Sequence, residues 1–135
     1  MPAPIRTQRV RKYRDLDLDF LVHPMTNDIV GRSDVDAING SVINIIKTQR
    51  GERVFQSEFG STIYHSLFEP MITETRVILT AAIEEAIRTF EPRVELQAVE
   101  VNAEPDRNGY TVTIVYTPIN DGSPVTLDFF LNRLR

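Results

Sequence analysis

At 135 residues, with 15 Lys+Arg against 19 Asp+Glu and no Cys, the chain carries a formal net charge of −4. The length suits one domain of ~100–150 residues, and 41% hydrophobic with 25% charged residues excludes wholesale disorder. Apolar runs of only a few residues exclude a helical membrane span of ~20, and the missing cysteines remove disulfides, thiolate nucleophiles and cysteine zinc sites together.

The opening MPAPIRTQRVRKYRDLDLDFLV has bases but no apolar h-region and no small-residue cleavage site, so a secretory signal is not expected. Arg6, Arg9, Arg11, Lys12 and Arg14 fall within residues 1–14 with no acid, leaving a net-negative remainder. Residues 1–14 therefore read as an extended basic arm suited to nucleic acid, an acidic protein groove or solvent, and residues 15–135 as a single domain. Strict alternation from Asp15 to Phe20 predicts a strand with three aspartates on its wet face. HPMTNDIVG then reads as turn and loop.

SDVDAINGSVINIIKTQRG predicts the first long helix, with Ser33 as N-cap and Gly51 as a left-handed C-cap. Val35, Ile38, Val42, Ile45 and Ile46 share one face at helical spacing. After a loop, a short helix is expected from about Ser61 to Phe68. TETRVILTAAIEEAIRTF predicts a second long helix capped by Thr73, with Val77, Ile78, Ala81, Ile83, Ala86, Ile87 and Phe90 forming a broad apolar surface. So wide a face needs cover on more than one side, from the protein's own sheet or from a partner. Pro92 stops the helix. Three strands follow, RVELQAVEVNAE, GYTVTIVYTPI and PVTLDFFLNR, joined by turn signals at Asn108-Gly109 and in NDGSP. A phase shift at Ala98-Val99 predicts a β-bulge. The expected fold class is α+β, with two long helices and a short one packed on a small antiparallel C-terminal sheet.

Chemistry is thinly represented. The two histidines, His23 and His65, have no second histidine at i+3 or i+4, and Ser66 beside His65 points away from it on a helix. No glycine-rich phosphate loop or nucleophile elbow occurs. Glu58, Glu69 and Glu91 are the carboxylates that a glycan-cleaving enzyme would have to bring together across a cleft. A nucleic-acid module would rest on the basic arm alone, because the acidic body repels phosphates. Neither an enzyme nor a cofactor is expected.

Four ordered motifs carry a resemblance: Thr48 to Arg53, Phe59-Gly60, Leu67 to Pro70, and Glu91-Pro92-Arg93. Together with the helix-helix-strand order over about residues 34–135, the chain resembles the small baseplate wedge proteins of contractile phage tails. These are the gpW-type or "lysozyme-like" baseplate proteins, whose type VI secretion counterpart is TssE. The resemblance implies a structural protein of the virion tail baseplate, assembled in the host cytoplasm, with a fold similar to the strand-exchanging terminal domain of tail-sheath subunits. It implies binding to the large wedge protein through a helical core bundle and templating of the first sheath ring, with central hub or spike proteins and other small wedge proteins as further neighbours and no membrane partner. It marks Glu91, Pro92 and Arg93 as a wedge-interface or corner motif. Arg50, Gly51, Glu52, Arg53, Phe59, Gly60, Leu67, Phe68, Glu69 and Pro70 form the family loop motif. Val125, Leu127, Phe129, Phe130 and Leu131 make the last strand a candidate sheath contact by β-augmentation.

Overall fold

The computed structural model describes residues 14–16, 21–22, 24–28 and 31–134. The basic arm up to Tyr13, residues 17–20 of the first predicted strand and His23 lie outside them. Arg14–Leu16 (β1) pairs antiparallel with Gly31–Ser33 (β2). Helices α1 (Val35–Lys47), α2 (Ile63–Ser66) and α3 (Thr73–Phe90) precede a meander of β3 (Val94–Glu104), β4 (Gly109–Pro118) and β5 (Val125–Asn132), paired in that order. The fold is α+β.

Period-2 patterning decides which face of the sheet is dry. In β4, Tyr110, Val112, Ile114 and Tyr116 are fully buried, while Thr111, Thr113, Val115 and Thr117 face outward and are half-buried. Register carries the division across the sheet: Val101 and Phe129 flank Val112, and Val99 and Leu127 flank Ile114. Against this face pack Ile38, Val42 and Ile46 of α1, Ile63 and Leu67, and Leu79, Ile83 and Ile87 of α3. The apolar stripe of α1 is as expected, with Ala37 added and Val35 only half-buried. On α3 the stripe is narrower than its composition suggests. Leu79, Ile83, Ala86 and Ile87 are buried, whereas Val77 and Ile78 are 64% and 56% exposed.

Local punctuation differs from the sequence reading at the helix ends and in the sheet. Ser33 ends β2, and Asp34, at φ 56°, occupies the N-cap of α1. That helix stops at Lys47 because Thr48 turns extended, its N–H and hydroxyl both donating to the Asn44 carbonyl; Gly51 belongs to the loop beyond. The short helix covers only Ile63–Ser66. Thr73 is already helical, with Ile72 at the cap position, and the turn before it is closed by the Thr75 hydroxyl donating to the Pro70 carbonyl at 2.8 Å. In the sheet, the register shift falls between Leu96 and Ala98, so Gln97 is the extra residue; its amide donates to Thr117 Oγ1 at 2.6 Å. The β3–β4 turn is a 3₁₀ turn over Pro105–Arg107, with Asn108 left-handed and Gly109 opening β4.

Candidate functional site

The motif residues gather at the two ends of α3, which at 18 residues is about 27 Å long. At its C-terminal end, Glu91 and Arg93 bracket the exposed Pro92. The Arg93 guanidinium donates from Nε to Glu91 Oε1 and from Nη2 to Oε2, both at 2.7 Å, a bidentate pair. Only 2% of the Glu91 side chain is exposed against 25% of Arg93. Burial pushes the Glu91 carboxyl up, but hydrogen bonds from Arg93 and from Ser41 on α1 outweigh it and hold the group below its ordinary value. One turn of α1 thus grips the corner, and a second contact joins them, the Tyr116 hydroxyl donating to Asn39 Oδ1 at 2.7 Å. Burial, with the charges of Glu91 and Asp36, pushes the Tyr116 phenol up to about 12. The Ile119 N–H donates to the Arg93 carbonyl at 3.0 Å and ties the corner to the end of β4.

The loop motif is built onto the same end. Its base is a parallel bridge between Gln49 and Ser61, closed by the Ser61 N–H on Thr48 O, the Arg50 N–H on Ser61 O, and the buried Ser61 hydroxyl on Ile46 O at 2.6 Å. Within it, the Gln49 N–H donates to the Glu52 carboxylate, the Gly51 N–H to Ser57 O, and the Arg53 guanidinium lies 4.0 Å over the Phe59 ring. Phe59 packs against Phe90, the last residue of α3, at 5.1 Å between ring centroids. Loop and corner are therefore one surface, and at its tip Val54 and Phe55 stand 89% and 97% exposed.

Leu67 to Pro70 sits at the other end of α3, where its backbone anchors neighbours. Leu67 O accepts from the Leu134 N–H, Glu69 O from Arg133 Nε, and Pro70 O from Thr75; Phe68 is 50% exposed. On β5, Val125, Leu127, Phe129 and Leu131 turn toward the core, and Phe130 lies on the outer face with the Arg107 guanidinium 4.1 Å above its ring.

Sequence reasoning missed Ser41, Asn39 and Tyr116 as corner residues: the β4 alternation marks Tyr116 only as core, and no periodicity marks Ser41 or Asn39. It also missed a groove of about 610 Å³ between α3 and the edge of β3, which no strand pairs with among the described residues, lined by Val77, Ala81 and Glu84 opposite Val99 and Glu100. The three carboxylates do not converge: Glu69 and Glu91 lie at opposite ends of α3, and Glu91 is engaged by Arg93. Among the described residues no group of three His, Cys, Asp or Glu is placed to hold a metal ion.

A family model described as baseplate wedge protein gp25 matches residues 32–122. The baseplate wedge protein gp25 of Enterobacteria phage T4 is 32% identical over 102 residues, covering 76% of this chain and 75% of the relative. A Geobacter sulfurreducens protein labelled a tail lysozyme is 27% identical with a TM-score of 0.68, covering 73% of this chain and 89% of that one. A chain of the anti-feeding prophage baseplate, at 18% identity and a TM-score of 0.62, shares the fold over 92% of this chain and 88% of its own.

Proposed function

The chain belongs to the baseplate wedge protein gp25 family, and from that premise we propose that it joins the large wedge protein to the first ring of the tail sheath. It is a wedge component of contractile-tail baseplates. The large wedge protein docks on the surface made by the loop and the Glu91-Pro92-Arg93 corner, through its helical core bundle. The observation that carries this assignment is that the loop bearing exposed Val54 and Phe55 meets the corner bearing exposed Pro92 and the partly exposed Arg93 through the Phe59–Phe90 contact. The loop's many internal bonds hold it in one shape, so little conformational entropy is lost when it docks.

The sheath side rests on the meander. Its three strands leave two edges that no strand pairs with among the described residues, and an extended sheath segment adds to one of them through backbone hydrogen bonds. The β5 residues would act here through their backbone, since most of their side chains support the core. Hub or spike proteins and the other small wedge proteins are then neighbours in the ring.

A tagged copy recovered from the assembling cell tests both contacts. Co-purification of a large wedge protein, with sheath subunits joining once tails form, is the expected outcome. Recovery of nucleic acid, or of the protein alone with glycan-cleaving activity, would refute the proposal.

A further inference from the structure

Strand addition requires an edge whose backbone groups are reachable, and the two edges differ. Past β5 the chain is tied down, with the Leu134 N–H on Leu67 O at 3.0 Å and Arg133 Nε on Glu69 O at 3.2 Å. The β3 edge instead opens onto the groove of about 610 Å³ in front of α3. Across that groove Arg76 reaches from the helix, its Nε donating to the Val101 carbonyl at 3.1 Å. In an antiparallel ladder a residue that exchanges no bonds with its partner strand points both backbone groups the other way, and so do its neighbours at i±2. The Arg133 N–H on Asn108 O at 3.0 Å continues the β4–β5 ladder, so Tyr110, Val112 and Ile114 bond toward β5, and their β3 partners Ala103, Val101 and Val99 present hydrogen-bonding groups to the edge, where the Val101 carbonyl meets Arg76. Arg76 occupies the middle position of that row.

We propose that β3 is the acceptor edge, that Arg76 latches it, and that the segment displacing Arg76 alternates apolar residues with Lys or Arg. This rests on the reading that the sheath adds a strand to this sheet. The occupant's chemistry follows from the walls. A strand on this edge turns alternate side chains toward α3, where Val77 is 64% exposed beside the exposed Ala81, a wall that apolar groups fit. Its other side chains join the outer sheet face beside Glu100. Once the guanidinium leaves, Glu84 and Glu100 are the charges that line the groove, and both attract a basic segment. Before docking, the latch does what charged side chains do on natural edges: it keeps the row from pairing with another copy.

The test uses the purified full chain and the purified sheath subunit of the same particle, with amide exchange followed over residues 97–104 and 125–132. Sheath is expected to protect 97–104. Arg76→Ala should bind it about tenfold more tightly, because one hydrogen bond from a charged donor no longer competes. Ala81→Trp, which fills the groove from an exposed position, should abolish the protection. Protection confined to 125–132 would place the acceptor at β5 and overturn this inference while leaving the sheath reading intact. Protection at 97–104 with unchanged affinity for Arg76→Ala would overturn the latch. Protection of neither segment would overturn both the inference and the sheath reading.

Discussion

Replacing Arg93 with Ala strands the Glu91 carboxylate, which is 2% exposed and loses two hydrogen bonds of 2.7 Å at once. Removing one member of a fully buried pair costs ~3–5 kcal/mol. Arg93 is itself 25% exposed, so water enters the vacated space and the expected cost drops to about 2–3 kcal/mol. Against a domain stability of roughly 5–15 kcal/mol the variant still folds, with its midpoint lowered by roughly 10 °C. The cost also depends on pH, in a direction the pair dictates. In the native chain Glu91 is held below its ordinary value of 4.5, so its contribution is complete above that pH and is lost as the pH falls through the folded value. In Arg93→Ala the bonds left from Ser41 and the residue 93 N–H offset less of the burial, so the carboxyl rises relative to the native chain and the penalty is relieved as acid neutralises it. Urea melts of both proteins, followed by far-UV circular dichroism at pH 7 and pH 4, should therefore show a gap that narrows at the lower pH. A gap under about 0.5 kcal/mol at pH 7, within the range of ordinary surface changes, or an equal gap at both, would refute the reasoning. The folded variant should also fail to enter baseplates, and its normal incorporation would remove Arg93 from the wedge interface.

Three further expectations concern the loop and the corner. Gly60, at φ 113°, has no room for a Cβ beside the Thr48 carbonyl, while Gly51, at φ 89°, faces open space. Gly60→Ala should thus cost about 2–4 kcal/mol and Gly51→Ala about 1–2 kcal/mol, and equal costs in thermal melts would contradict the difference in packing. Tyr116→Phe keeps the ring but loses the bond to Asn39, for ~1 kcal/mol. Because the phenol is raised from 10.0 to about 12, the native state's advantage is full below pH 10 and fades toward pH 12, a decline that should be shallower in the variant, where buried Tyr110, also raised, still contributes. Val54→Ser with Phe55→Ser should move stability by less than about 0.5 kcal/mol yet abolish co-purification of the large wedge protein; full recovery of that partner would exclude the tip as its contact.

Much of the architecture is legible in local pattern. The alternation from Tyr110 to Tyr116 marks the central strand and its dry face, Ile38 to Ile46 mark the α1 stripe, and Pro92 marks the end of α3. Ordered motifs pointed to the family, because their order along the chain can be read without reference to what they touch. Helix punctuation was less legible: Ser33 and Thr73 carry the chemistry of caps, but the β1–β2 pairing and the Pro70 turn assign those positions otherwise.

By itself, then, the sequence determined the α+β class, the meander and the family, since each depends on periodicity or on residues within a few positions of one another. Only the tertiary structure decided that Val77 and Ile78 face outward while Leu79 is buried, because the sheet covers one side of α3 and leaves the other open. Only it brought Asn39 to Tyr116, 77 residues apart, and Arg76 to Val101, 25 apart. Such contacts follow from how helix and sheet pack, and packing depends on every core side chain at once, so no local run of the sequence contains them.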